Sequence, residues 1–163
     1  MKTIHIVWEG PYTVEEAFRL NGSQDYGLYQ YYGQHIMYGN DALLYLGKAQ
    51  EQTFSARLPA HNWQLWTASE ATIYVGRLHF EEAVPVEEWR RQIDLAERII
   101  LQSHNPSFNS SNLNTIGHKG EDTRVLNWGK RRMLLPEVSV SRWEGDMSIG
   151  NLLRERFKPG TIN

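Results

Sequence analysis

The chain of 163 residues has no cysteine. That excludes a disulfide framework and any zinc site built on thiolates. Long apolar runs are missing too. Nothing approaches the ~18 consecutive residues that read as a membrane-spanning helix. The stretch Met1 to Trp8 is short and is followed at once by Glu9-Gly10-Pro11, so it does not read as a signal peptide. A soluble cytoplasmic protein is expected. There is no Gly-rich phosphate loop, no dinucleotide-binding turn and no Gly-x-Ser-x-Gly elbow. The six histidines are scattered, with no two at metal-ligand spacing on one clear helix. Strong net charge is also absent: the balance is -2, which by itself signals no nucleic-acid partner.

What is present is a chain with 40% apolar and 12% aromatic residues, enough for one compact core. Its charge is unevenly placed. Residues 1–116 carry 8 Lys and Arg against 13 Asp and Glu, and residues 117–163 carry 9 against 6. The basic C-terminal segment, with the run Lys130-Arg131-Arg132, is the better candidate for facing phosphate.

Residues 3–8 alternate as a strand. Thr13 with Glu16 three positions on forms a capping box for a short helix ending at Asn21-Gly22. Residues 26–32 and 42–47 read as two strands of an antiparallel hairpin, joined by a long loop over 33–41 that is rich in turn residues. A short helix is expected over 53–58 with Thr53 as its N-cap, and Pro59 is expected to break it. Residues 72–80 are strongly β-forming. Pro85 opens a helix from about 86 to 104, in which Trp89, Ile93, Leu95, Ala96, Ile99 and Ile100 share one apolar arc. Glu97 stands just beyond one edge of that arc. Asn105-Pro106 ends the helix. Residues 123–128, 132–135 and 138–143 read as further strands, and 150–157 as a short amphipathic helix.

The organising stretch runs from Tyr26 to His61. It holds Gly27-Leu28-Tyr29, then Tyr45-Leu46-Gly47 followed by Lys48, then Arg57 and His61 four residues apart. Glu97, Pro106 and Asn109 come after it in order. This ordered set resembles the GIY-YIG nuclease family, with Leu in place of Ile in both triplets, and covers about residues 26–109. The resemblance implies an α/β fold: a small, mostly antiparallel three-stranded central sheet flanked by helices, here followed by a β-rich C-terminal extension. It divides the chain into a nuclease-like unit at 1–116 and a basic extension packed on it at 117–163. The spacing from Tyr29 to Tyr45 is wider than in many members of the family.

The same resemblance implies an Mg²⁺-dependent (or Mn²⁺-dependent) DNA endonuclease, acting as a monomer or homodimer. Tyr29 would be the general base, with Tyr45, Lys48 and His61 favouring its ionised form. Arg57 would fork two donors onto the phosphate. Glu97 would hold the cation, since one carboxylate with waters and phosphate oxygens suits Mg²⁺. Lys48, Asn109, Lys130, Arg131 and Arg132 would contact the substrate, Asn109 also steadying the active-site region. Two other readings stand beside this one: a nucleic-acid-binding module of the same fold without cleavage, and an unrelated α/β domain whose triplets match by chance.

Overall fold

The computed structural model of the chain describes residues 2–60, 71–110 and 122–139. Its frame is one six-stranded mixed sheet. The strands are β1 (Lys2–Tyr12), β2 (Gly27–His35), β3 (Gly39–Ala49), β4 (Thr72–His79), β5 (Thr123–Gly129) and β6 (Glu137–Ser139), arranged β3-β2-β4-β1-β5-β6. Three helices join them: α1 (Val14–Ala17), α2 (Phe54–Arg57) and α3 (Val86–His104).

The expected three-stranded sheet flanked by helices is therefore corrected. β2, β3 and β4 do pair antiparallel, and Tyr29 lies opposite Gly47 while Tyr31 lies opposite Tyr45. But β1 continues the sheet by pairing antiparallel with β4, and β5 then pairs parallel with β1 from Lys2↔Thr123 to Trp8↔Gly129. The physical cause lies in β1 itself. Ile4, Ile6 and Trp8 point to one side and are buried, so this strand is held by an apolar face and has two edges that need partners. The supposed β-rich extension supplies one of them. Among the described residues the architecture is mostly strand, with three helices.

The long loop expected over 33–41 is corrected as well. The hairpin ladder runs on to His35↔Gly39, which leaves only Ile36-Met37-Tyr38 as the turn. Gly39 has φ +81°, a value that suits glycine. The strand expected at 132–135 is a turn instead, with Arg132 at φ +57° and Leu134 bonding back to Arg131.

Two hydrophobic clusters sandwich the sheet. On one face α3 lays Ile93, Ala96, Ile99 and Ile100 against Ile6, Trp8, Leu28, Leu46 and Val125. Each such aliphatic side chain contributes about 1.5–3 kcal/mol when fully buried. On the other face α1 and α2 cover Tyr29, Tyr31, Leu44, Ile73 and Val75 with Ala17, Phe54 and Leu58. β2 is buried on both sides from Gly27 to Gly33, because it runs through the middle of this sandwich.

Local signals decide the ends of the helices. The Thr13 capping box is formed, with Glu16 N to Thr13 Oγ1 at 3.2 Å and Thr13 N to Glu16 Oε2 at 2.8 Å. Thr53 stands at the N-cap of α2, yet its hydroxyl turns to Asn21 and makes no cap bond. α2 stops at Arg57, and Pro59 lies in the 3₁₀ turn Leu58–Ala60 that follows. α3 ends on Asn105 in the left-handed conformation, followed by Pro106. The expected helix at 150–157 and the strand residues beyond 139 lie outside the described residues, as does His61. Among the described residues no helix is long and apolar enough to cross a membrane.

Candidate functional site

The site begins with a glycine. Gly47 lies opposite Tyr29, and a Cβ there would come 2.5 Å from the Tyr29 hydroxyl and 2.7 Å from the Tyr45 ring. With no side chain at 47, the Tyr29 phenol lies flat along β3 and stacks against Tyr45, ring centroids 6.1 Å apart. Phe54 of α2 meets the Tyr29 ring edge-on at 6.5 Å. The two tyrosines thus share one face and one site, although 16 positions separate them.

A chain of donors runs through them. Arg57, at the end of α2, hydrogen-bonds the Tyr29 hydroxyl, which in turn bonds Tyr45. Tyr29 is fully buried, whereas Tyr45 is half-buried. Burial pushes the Tyr29 phenol well above its ordinary value; the Tyr45 charge adds to this and Arg57 only partly offsets it. Tyr45 is also raised, first by burial and then by the Glu97 charge.

Glu97 stands on α3, which packs on the opposite face of the sheet from Tyr29 and Tyr45, and only its charge reaches the two phenols. It is 7% exposed and its Oε2 is 3.0 Å from Lys48 Nζ. The Lys48 ammonium also bonds Asp94, which is itself 2.9 Å from Arg98. Burial raises the Glu97 carboxyl above the usual range, and the Lys48 charge does not fully cancel that cost. Burial lowers Lys48, but the Asp94 bond and the Glu97 charge outweigh it and hold the ammonium protonated. Lys48, Gln50, Glu51 and Arg57 border a cleft of about 490 Å³.

Asn109 does not line this cleft. Its side chain takes Leu46 N at 2.9 Å and gives to Leu46 O at 2.8 Å, while Phe108 N bonds Leu44 O at 2.8 Å. The loop thereby closes the outer edge of β3 and fixes Leu46, the residue between Tyr45 and Gly47. Lys130, Arg131 and Arg132 are not brought to the cleft either. Lys130 Nζ bonds Gly10 O at 2.6 Å, and Arg131 bonds Leu134 O. Arg132 pairs with Asp41 at the opposite end of β3 and lies over the rings of Tyr32 and Tyr74 at 4.9 and 5.3 Å.

Two groups at the site were not singled out in the sequence. Asp94 shares Lys48 with Glu97, and the i, i+3 spacing of the two carboxylates on α3 was the available signal. Gln50 borders the cleft with a buried Oε1 that has no hydrogen-bond partner among the described residues. No short-range pattern marks it.

The donor set fits a hard, largely hydrated cation. Glu97 offers a carboxylate held by Lys48, which borders the cleft, and among the described residues no three His, Asp or Glu side chains gather into a closed cage. The remaining ligands would be water and phosphate oxygens. Compared with known proteins, the chain matches no family model, no curated protein and no solved structure.

Proposed function

We propose that the cleft hydrolyses phosphodiester bonds of DNA with a divalent cation, in the manner of the GIY-YIG nucleases that the motif order resembles. One observation carries this reading: Arg57, Tyr29 and Tyr45, from α2, β2 and β3, are joined by hydrogen bonds, Arg57 borders the cleft, and both phenols feel the Glu97 charge from α3.

Arg57 borders the cleft while bonding the Tyr29 hydroxyl. Its remaining donors would fork onto a phosphate, where charge grows in the transition state. The proton-accepting role expected of Tyr29 passes to the phenol that meets solvent. Tyr45 is that phenol, and Tyr29 stands behind it as the link to Arg57. Attack forms a bond from the water oxygen to phosphorus, breaks the bond to the leaving sugar oxygen, which takes a proton from solvent, and passes the water proton to the ionised Tyr45 oxygen. Because both phenols are held above their ordinary range, the rate should climb with pH across the neutral and alkaline region. Glu97, with water, would hold Mg²⁺, which supplies charge neutralisation on the phosphate and on the leaving oxygen.

A binding module without cleavage is favoured by one feature: the Lys48 ammonium sits on Glu97, where a cation would compete with it. Incubation of supercoiled and linear DNA with and without Mg²⁺ separates the readings. Nicked or linear products that need Mg²⁺ and vanish in Glu97→Gln support hydrolysis. DNA binding with intact plasmid supports the module. Neither binding nor cleavage overturns both.

A further inference from the structure

We propose that the tip of the β2–β3 hairpin is a wedge that enters the minor groove of duplex DNA and unstacks a base step. This inference rests on the DNA reading of the cleft. The turn carries the most exposed apolar side chains described in the molecule: Ile36 is 99% exposed, Met37 80% and Tyr38 70%. Such residues on a solvent-facing turn contribute nothing to the core.

The turn is nevertheless built with care. His35 Nδ1 accepts from both Met37 N and Tyr38 N at 3.2 Å. The His35 ring stacks on Tyr38 at 4.6 Å and leans on Phe108 at 5.8 Å. Phe108 belongs to the loop that closes the edge of β3. The tip is therefore buttressed by the same segment that fixes Leu46 at the cleft.

The surroundings argue for an anionic partner. Near the tip of the hairpin, three residues past the turn, Asp41 pairs with Arg132, whose neighbours Lys130 and Arg131 leave their loop with a surplus of positive charge. Met133, 61% exposed, adds one more apolar side chain there. Exposed apolar side chains on a turn, near a loop of net positive charge, are the means by which minor-groove binders kink a duplex. The groove, about 6 Å wide, admits one or two side chains. Another copy of the chain is a poorer occupant, since three side chains fall well short of the ~800 Å² per partner that a stable interface requires.

Laid along the duplex axis, the hairpin sets where the kink falls. From Tyr45 back to Gly39 is six residues of strand, or ~20 Å at ~3.3 Å per residue. With the turn beyond it, the wedge meets DNA six or seven base pairs from the scissile phosphate, at ~3.4 Å per pair.

The test uses a duplex spanning a cleavage position mapped from reaction products, with Ca²⁺ replacing Mg²⁺. 2-Aminopurine is placed at successive positions, and end-to-end energy transfer reports bending. The intact protein should brighten 2-aminopurine about six or seven pairs from the cut and shorten the end-to-end distance. Ile36→Ser/Met37→Ser should abolish both signals and weaken binding on the order of tenfold. Retention of the kink and the affinity in this variant would overturn the wedge, as would intact binding to straight, fully stacked DNA. A change of sedimentation state or a loss of binding to phosphatidylglycerol vesicles in the variant, with DNA behaviour unaltered, would also overturn it. No DNA binding by the intact protein would instead remove the reading on which the wedge rests.

Discussion

Two glycines on opposite faces of one sheet make the same local contact and lead to different ends. Gly76 of β4 lets the Trp8 ring lie against the strand, where a Cβ would come 2.8 Å from the ring and 2.7 Å from Ile6. Trp8 then satisfies its one polar atom within the fold, giving Nε1–H to Asn127 at 2.9 Å, and Asn127 gives its own amide to Leu135 O at 2.9 Å. Gly47 does the same for Tyr29 on the other face. There the aromatic joins a second phenol and a guanidinium, with the Glu97 charge acting on both phenols from α3 across the sheet, and burial works against the charge of both phenols and of Glu97. A flat aromatic on a glycine is thus a packing device in one half. In the other it is the seat of a strained polar cluster of the kind found at functional sites.

The largest expected effect breaks the polar half alone. Glu97→Gln should lower Mg²⁺-dependent cleavage by about three orders of magnitude or more, as a neutral amide of nearly equal volume is a poor Mg²⁺ ligand. The variant should also be more stable at neutral pH. The sign follows from the raised carboxyl: such a group costs stability as pH rises above its unfolded value, so removing it restores that loss. Parallel cleavage assays and thermal melts at pH 7 check both halves; a variant that loses activity by unfolding would refute this.

The glycines provide the next test. Gly47→Ala should displace the Tyr29 hydroxyl and cost about a hundredfold in cleavage rate, the scale of a 1 Å misplacement. Gly76→Ala should cost about 1–3 kcal/mol in stability through overpacking at Trp8, with the rate at saturating DNA little changed. Urea unfolding and single-turnover rates on both variants measure the contrast. Equal activity losses would erase it.

Tyr45→Phe and Tyr29→Phe sharpen the picture within the site. Tyr45→Phe should cost about 10²–10⁴-fold and flatten the rise of rate with pH. Tyr29→Phe should cost less and keep that rise. The reverse order would return the base to Tyr29.

The smallest expected effect lies at His104. Its Nδ1–H gives to Ile100 O and its Nε2 accepts from Leu135 N at 2.9 Å, so the neutral ring joins α3 to the basic loop. Burial lowers its protonation below the ordinary value near 6.5. That stability is present above about pH 6.5 and drains away as pH falls below it toward the depressed folded value. Between pH 7.5 and 5.5 the melting temperature should fall about 1–3 °C more than in His104→Gln.

Much of the local structure was legible in the sequence, because its causes are local. The box at Thr13, the break before Pro59 and the apolar arc of α3 each depend on residues a few positions apart. So did the pairing of the Tyr29 and Tyr45 strands. What could not be read was partnership at a distance. Nothing in Ile4-His5-Ile6-Val7-Trp8 names residues 123–129 as its parallel neighbour. The turn at 36–38 was hidden because Gly33, Gly39 and Asn40 read as turn residues, whereas Gly33 remains in the ladder. Lys130, Arg131 and Arg132 show the limit for charge: a basic run in sequence is a set of ties to Gly10, Leu134 and Asp41 in space. At the candidate site the types and order of residues were visible, but not that burial would separate a covered phenol from a half-open one.

The parallel pairing of β1 with β5 has a consequence for how the chain is made. β4 can join β1 once residue 79 has emerged, but β5 begins only at residue 123. At roughly 5–20 residues per second, the 43 residues between them take about 2–9 s to synthesise. Through that interval β1 offers one long unpaired edge, backed by Ile4, Ile6 and Trp8, to every other nascent chain nearby. The last described strands thus also act as the seal that withdraws this edge from strangers, and a ribosome that stalls before residue 123 releases a sheet that is still open.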